Sequence, residues 1–107
     1  MTTFDKREDA FEKKFAHDAE LQFKAQARRN KLLGRWAAGL LGKVGAEAEA
    51  YAKSVVASDF EEAGDEDVFR QIRKDFDAAS VEQSDHQIRR TMDELMRTAI
   101  DQIKNGT

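Results

Sequence analysis

The chain of 107 residues is 40% hydrophobic and 36% charged, has no proline and no cysteine, and carries a net charge of −3. That balance fits one small, water-facing domain and excludes disulfides, thiolate chemistry and cysteine zinc sites. There is no apolar signal-peptide core and no run near the ~18 apolar residues of a membrane span, so a soluble, cytoplasmic protein without membrane insertion is expected.

Good helix formers dominate, and β-branched or aromatic residues never alternate with polar ones over a strand's length, so the fold class is all-α. The first segment, residues 4–20, reads FDKREDAFEKKFAHDAE. Ten of these seventeen residues are charged, yet Phe4, Phe11 and Phe15 recur at offsets of 7 and 11. On a helix those offsets fall within roughly 40° of one another, whereas a core helix presents a stripe of at least ~100°. The segment is too polar for a core helix and too regular for a plain tail. It is expected to be a helical or partly disordered extension, and His17 within it to be a solvated surface histidine.

Near Asp18–Leu21 the apolar phase shifts. Leu21, Ala25, Leu32, Trp36 and Leu40 recur at helical spacing, Leu33, Ala37 and Leu41 widen the face, and Gly42 or Gly45 can close the helix. Residues 46–58 give a second helix with Ala48, Tyr51, Ala52, Val55 and Val56 inward. After the polar turn SDFEEAGDED, Asp65 is predicted to cap a third helix whose face is Val68, Phe69, Ile72 and Phe76. SVEQ at 80–83 matches a capping box, Ser80 with Gln83. The last helix carries Ile88, Met92, Leu95, Met96, Ala99, Ile100 and Ile103. Short connections make a small four-helix bundle the economical arrangement, with residues 1–19 outside it and residues 20–107 forming it.

Charge is distributed unevenly. Residues 21–45 sum to +6 with no acid, and residues 46–69 to −7. Attraction between these blocks within the chain is the simpler expectation, ahead of two charged faces offered to partners.

Catalytic and ligand motifs fail on inspection. AAGLLGKV at 37–44 lacks the Gly a phosphate-binding loop needs at Ala37 and the Ser or Thr it needs at Val44, and it ends a helix with no strand before it. DFEEAGDEDVFR at 59–70 puts Gly64 at the sixth position of a calcium loop, but Arg70 stands where a bidentate Glu is required. His17 and His86 are far apart and form no metal-ligand set. No nucleophile-and-base constellation stands out, so an enzyme is not expected and no cofactor is implied. KAQARRNKLLGRW at 24–36 is basic, but the pI of about 5.4 and the place of Trp36 on the apolar stripe argue against nucleic acid. Arg28, Arg29 and Arg35 can instead meet a phosphate group, such as an adenine nucleotide's, a partner's carboxylates, or the acidic block of the same chain.

KFAHDAEL at 14–21, ARRNKLLGRWAAGLLG at 27–42 and SDFEEAGDEDVFR at 58–70 closely resemble the ζ subunit, the inhibitor of F-type ATP synthase in alphaproteobacteria. The resemblance implies a four-helix bundle carrying an inhibitory N-terminal region. In that family the N-terminal segment enters a catalytic interface of the synthase head as a helix and blocks rotation in the hydrolysis direction. Carried onto this chain, it makes residues 1–19 the inhibitory element and residues 20–107 an anchor on the outside of the head, peripheral to the inner membrane through the synthase. Phe4, Phe11 and Phe15 are then apolar anchors, and Arg7, Glu8, Lys13, Lys14, His17 and Asp18 accompany them at the α, β or γ subunits. A monomer is expected when the protein is free. The alternatives are a nucleotide-sensing regulatory module, with Arg28, Arg29 and Arg35 near phosphate, and a generic helical adaptor.

Overall fold

The computed structural model describes residues 13–15, 17–58 and 65–106. Four helices build the domain: α1 (Ala19–Leu40), α2 (Ala46–Ser58), α3 (Glu66–Ala78) and α4 (Asp85–Lys104). The all-α expectation holds, and the helices pack as a bundle in which α1 lies against both α2 and α4 while α3 contacts α2 and α4.

Each helix end has an identifiable cause. Asp18 is extended (φ −108°, ψ 102°), and its carboxylate accepts from the N–H groups of Glu20 and Leu21 at 3.0 and 3.2 Å. This satisfies two of the donors that open α1. At the other end Gly42, at φ +77°, takes the left-handed position of a Schellman motif. Lys43 N–H donates to the Ala38 carbonyl, and Gly42 N–H to that of Gly39. Gly42 therefore closes α1, whereas Gly45 opens α2, its carbonyl accepting from Glu49 N–H.

The same motif closes α3, but with Ser80 at φ +57° in the left-handed place. Val81 N–H donates to the Phe76 carbonyl and Ser80 N–H to that of Asp77. The expected capping box at Ser80 and Gln83 is thus overturned, because Ser80 ends one helix rather than starting the next. The box lies four residues on: Gln87 N–H donates to Ser84 Oγ at 3.1 Å, and Ser84 N–H to Gln87 Oε1 at 2.8 Å. Asp65 occupies the N-cap position of α3, but its side chain makes no capping bond.

The core consists of Leu33, Ala37, Val55, Val68, Phe69, Ile72, Phe76, Ile88 and Met92, with Trp36, Leu41, Tyr51, Val81 and Leu95 packed against it. Trp36 meets Phe76 edge to face, ring centres 5.6 Å apart, so its place on the apolar stripe is a core role. The predicted faces of α3 and α4 are buried as expected at Val68, Phe69, Ile72, Phe76, Ile88, Met92 and Ala99. On α1 the predicted Ala25, Leu33 and Ala37 are buried and Trp36 and Leu41 pack on the core, while Arg29, Asn30, Gly34 and Ala38 join the buried face and Leu40 is exposed, so the face is rotated in part from the prediction. The rotation follows from two small residues. A Cβ on Gly34 would stand 2.6 Å from Ala52 Cα, so α1 and α2 approach more closely there than larger side chains would allow.

Candidate functional site

Charge pairing between the basic and acidic blocks is met in the fold. Arg35 reaches Glu49 on α2 with both Nε and Nη2, at 3.0 and 3.3 Å. The hydrogen bond from Arg35 holds the Glu49 carboxyl below its ordinary value. Arg29, only 2% exposed, donates through Nη2 to Asp65 Oδ1 and through Nε to Asn30 Oδ1, each at 2.6 Å. Asp65 thus ties the start of α3 to the middle of α1 instead of capping its own helix. Asn30 Nδ2 is buried and has no hydrogen-bond partner among the described residues.

These contacts separate the three arginines considered for phosphate. Arg29 is inside the bundle, Arg35 is paired across α1 and α2, and Arg28 lines a surface groove. They do not converge on one site.

The N-terminal residues approach the bundle through a short junction. Residues 13–15 and 17 are helical, and the chain turns at Asp18 before α1 begins. The Phe15 carbonyl accepts from Asp18 N–H at 3.4 Å and from Gln22 Nε2 at 3.1 Å, which fixes the angle of entry. Lys13, Lys14 and His17 are exposed, while Phe15 and Asp18 are half-buried. The Asp18 carboxylate is engaged with the first turn of α1. Phe4, Arg7, Glu8 and Phe11 lie outside the described residues.

Two surface depressions were not evident in the sequence. One, of about 490 Å³, lies between α2 and α3 and includes Tyr51, Ser54, Gln71 and Asp75. Tyr51 Oη donates to Asp75 Oδ2 at 2.7 Å, and burial, then the carboxylate, pushes the phenol's pKa far above its ordinary value. The other, of about 600 Å³, is lined by Phe23 on α1, Val56 on α2 and Ile103 on α4. Phe23 was out of phase with the predicted stripe, which was its only signal in the sequence. Among the described residues no group of three metal-ligating side chains is assembled, and no helix is long and apolar enough to cross a membrane.

No curated protein matches the chain. A protein of known solution NMR structure is 47% identical, with a TM-score of 0.72, over 81% of this chain and 99% of that one. At that identity the likeness extends beyond general helical architecture to the order and packing of the helices. The family model described as ATPase inhibitor subunit zeta matches residues 1–102, the N-terminal segment and the bundle alike, and the chain belongs to that family.

Proposed function

We propose that the protein inhibits ATP hydrolysis by F-type ATP synthase by inserting residues 1–19 as a helix into a catalytic interface of the head, blocking rotation in the hydrolysis direction. Residues 20–107 hold it to the outside of the head. The protein works in the cytoplasm, peripheral to the membrane through the synthase, and has a regulatory rather than catalytic role. The observation that carries this reading is the family match, which starts at residue 1 and runs through the Asp18 junction into the bundle. Among the described residues, the buried hydrophobic core runs from Ala25 to Ala99, all within the bundle.

The segment's composition suits this task. It must stay soluble when free and still bind an apolar crevice. Burying Phe4, Phe11 and Phe15 contributes on the order of 1.5–3 kcal/mol each. Ordering the backbone costs about 1–2 kcal/mol per residue. Three rings do not offset that alone, so Arg7, Glu8, Lys13 and Lys14 are assigned to ion pairs with the α, β or γ subunits. Helix already formed at 13–15 and 17 lowers the ordering cost.

The test is ATP hydrolysis by the cognate detached head with the full-length protein and with a form beginning at Asp18, which keeps the α1 cap. Only the full-length protein should inhibit. Equal inhibition by both would refute insertion of the N-terminal segment.

A further inference from the structure

Three large apolar side chains stand exposed on the described surface: Phe23, Leu40 and Val44. Leu40 ends α1 and Val44 lies in the turn between α1 and α2, whereas Phe23, 53% exposed, lines the 600 Å³ groove with Val56 and Ile103. The same groove is lined by Lys24, Arg28 and Lys31. Spaced i, i+4 and i+7, these three bases share one face of α1. Of the six bases at 21–45, Arg29 and Arg35 pair with acids of this chain, Lys43 lies over the Tyr51 ring, and Lys24, Arg28 and Lys31 line the groove beside a half-exposed ring. Lys24 also pairs with Glu20 one turn earlier, an exposed contact at 3.2 Å that a partner's carboxylate can replace.

We propose that this groove docks an acidic segment of the target ATPase's outer surface, an apolar side chain of that segment packing on Phe23 and its carboxylates meeting Lys24, Arg28 and Lys31. This rests on the inhibitor reading and adds to it the face by which the bundle anchors. Charge complementarity sets the partner's sign, since the described residues lining the groove include Lys24, Arg28 and Lys31 and no acid. Position sets which partner it is. α1 starts at Ala19, the last residue of the inhibitory segment, and Phe23 lies about 7.5 Å along its axis from the Asp18 cap. A protein that receives residues 1–19 is thus brought against the start of the groove. An apolar centre with a charged surround is the usual composition of such a surface, in which the ring supplies residence time and the bases supply encounter rate.

The experiment measures binding of the full-length protein to the cognate head, with inhibition followed in parallel. Phe23→Ala and the double reversal Lys24→Glu/Lys31→Glu should each weaken binding about tenfold or more. Wild-type affinity should fall more steeply with salt than that of the double variant. Val44→Ala, on a still more exposed apolar residue outside the groove, should bind like wild type. Unfolding midpoints should be the same for all four proteins. If wild type binds and inhibits but Phe23→Ala and the charge reversal match it, the groove assignment is overturned and the inhibitor reading stands. If wild type neither binds nor inhibits, both fall. Methyl resonances of Val56 and Ile103 identify other occupants in the protein alone. Shifts caused by Phe11→Ala, or by raising the protein concentration, would place this chain's own N-terminus or a second copy in the groove and overturn the proposal.

Discussion

Gly34→Ala and Gly39→Ala are the same chemical change on the same helix, and the structure predicts opposite outcomes. Both glycines lie within α1, where Ala is favoured over Gly by up to about 1 kcal/mol in a helix interior. Nothing lies within 4 Å of a Cβ built on Gly39, so Gly39→Ala should realise much of that gain, reduced by its place in the last turn. A Cβ on Gly34 would stand 2.6 Å from Ala52 Cα, 3.1 Å from Ala52 Cβ and 3.4 Å from Ala52 O. The nearest obstacle is backbone, so no side-chain rotation relieves it, and α2 has to move away. Overpacking of this kind costs about 1–3 kcal/mol. Set against the full propensity gain, the net loss is about 0–2 kcal/mol, and its midpoint of about 1 kcal/mol corresponds to roughly 4–8 °C in Tm for a domain of this size. Thermal and urea unfolding of the full-length variants measures both effects. Adding Ala52→Gly to Gly34→Ala should restore only part of the loss, because the 2.6 Å contact is to Cα and remains. Equal stabilisation by both alanines would refute the close α1–α2 approach. It would also remove the reason given for the rotated face of α1.

The corrected caps make a second opposed pair. Ser84→Ala should cost about 0.5–2 kcal/mol by removing the acceptor of the Gln87 N–H, whereas Ser80→Gly should raise stability by up to about 1 kcal/mol by relieving the left-handed backbone at φ +57°. Urea midpoints moving in the same direction would refute the reassignment. Asp65→Ala leaves Arg29 charged and 2% exposed without its carboxylate, and should cost about 1–3 kcal/mol, less than a fully enclosed pair because Asp65 is half exposed. Combined with Arg29→Met, the losses should be less than additive, and strict additivity in urea unfolding would show that the pair does not couple. The Tyr51 phenol titrates far above its ordinary value of 10 in the folded protein, through burial first and Asp75 second. Its contribution to stability is complete below about pH 10 and falls above it, as only the unfolded chain releases the proton. Tyr51→Phe should flatten the stability–pH curve relative to wild type between about pH 9 and 11, and parallel curves would contradict the assigned burial.

The helical class, the buried faces of α3 and α4 and the pairing of the basic block with the acidic one were all legible in the sequence. Each depends on periodicity or composition along one stretch of chain, such as Val68–Phe69–Ile72–Phe76 or the run without acids at 21–45. The tertiary structure decided the features that need two stretches at once. Ser80 and Gln83 satisfy a local cap pattern, but the Schellman bond from Val81 back to Phe76, with Val81 against the core, places Ser80 at a helix end. Arg29 reads as one of several surface bases until Asp65 meets it from α3. Phe23 looks like a stray ring until Val56 and Ile103 arrive beside it from α2 and α4. The inhibitory assignment of Phe4 and Phe11 comes from sequence alone, since it concerns a surface that another protein completes. Local pattern sets which face of a helix is apolar, but only the distance of approach between helices, here set by Gly34 against Ala52, decides which residues on that face are enclosed.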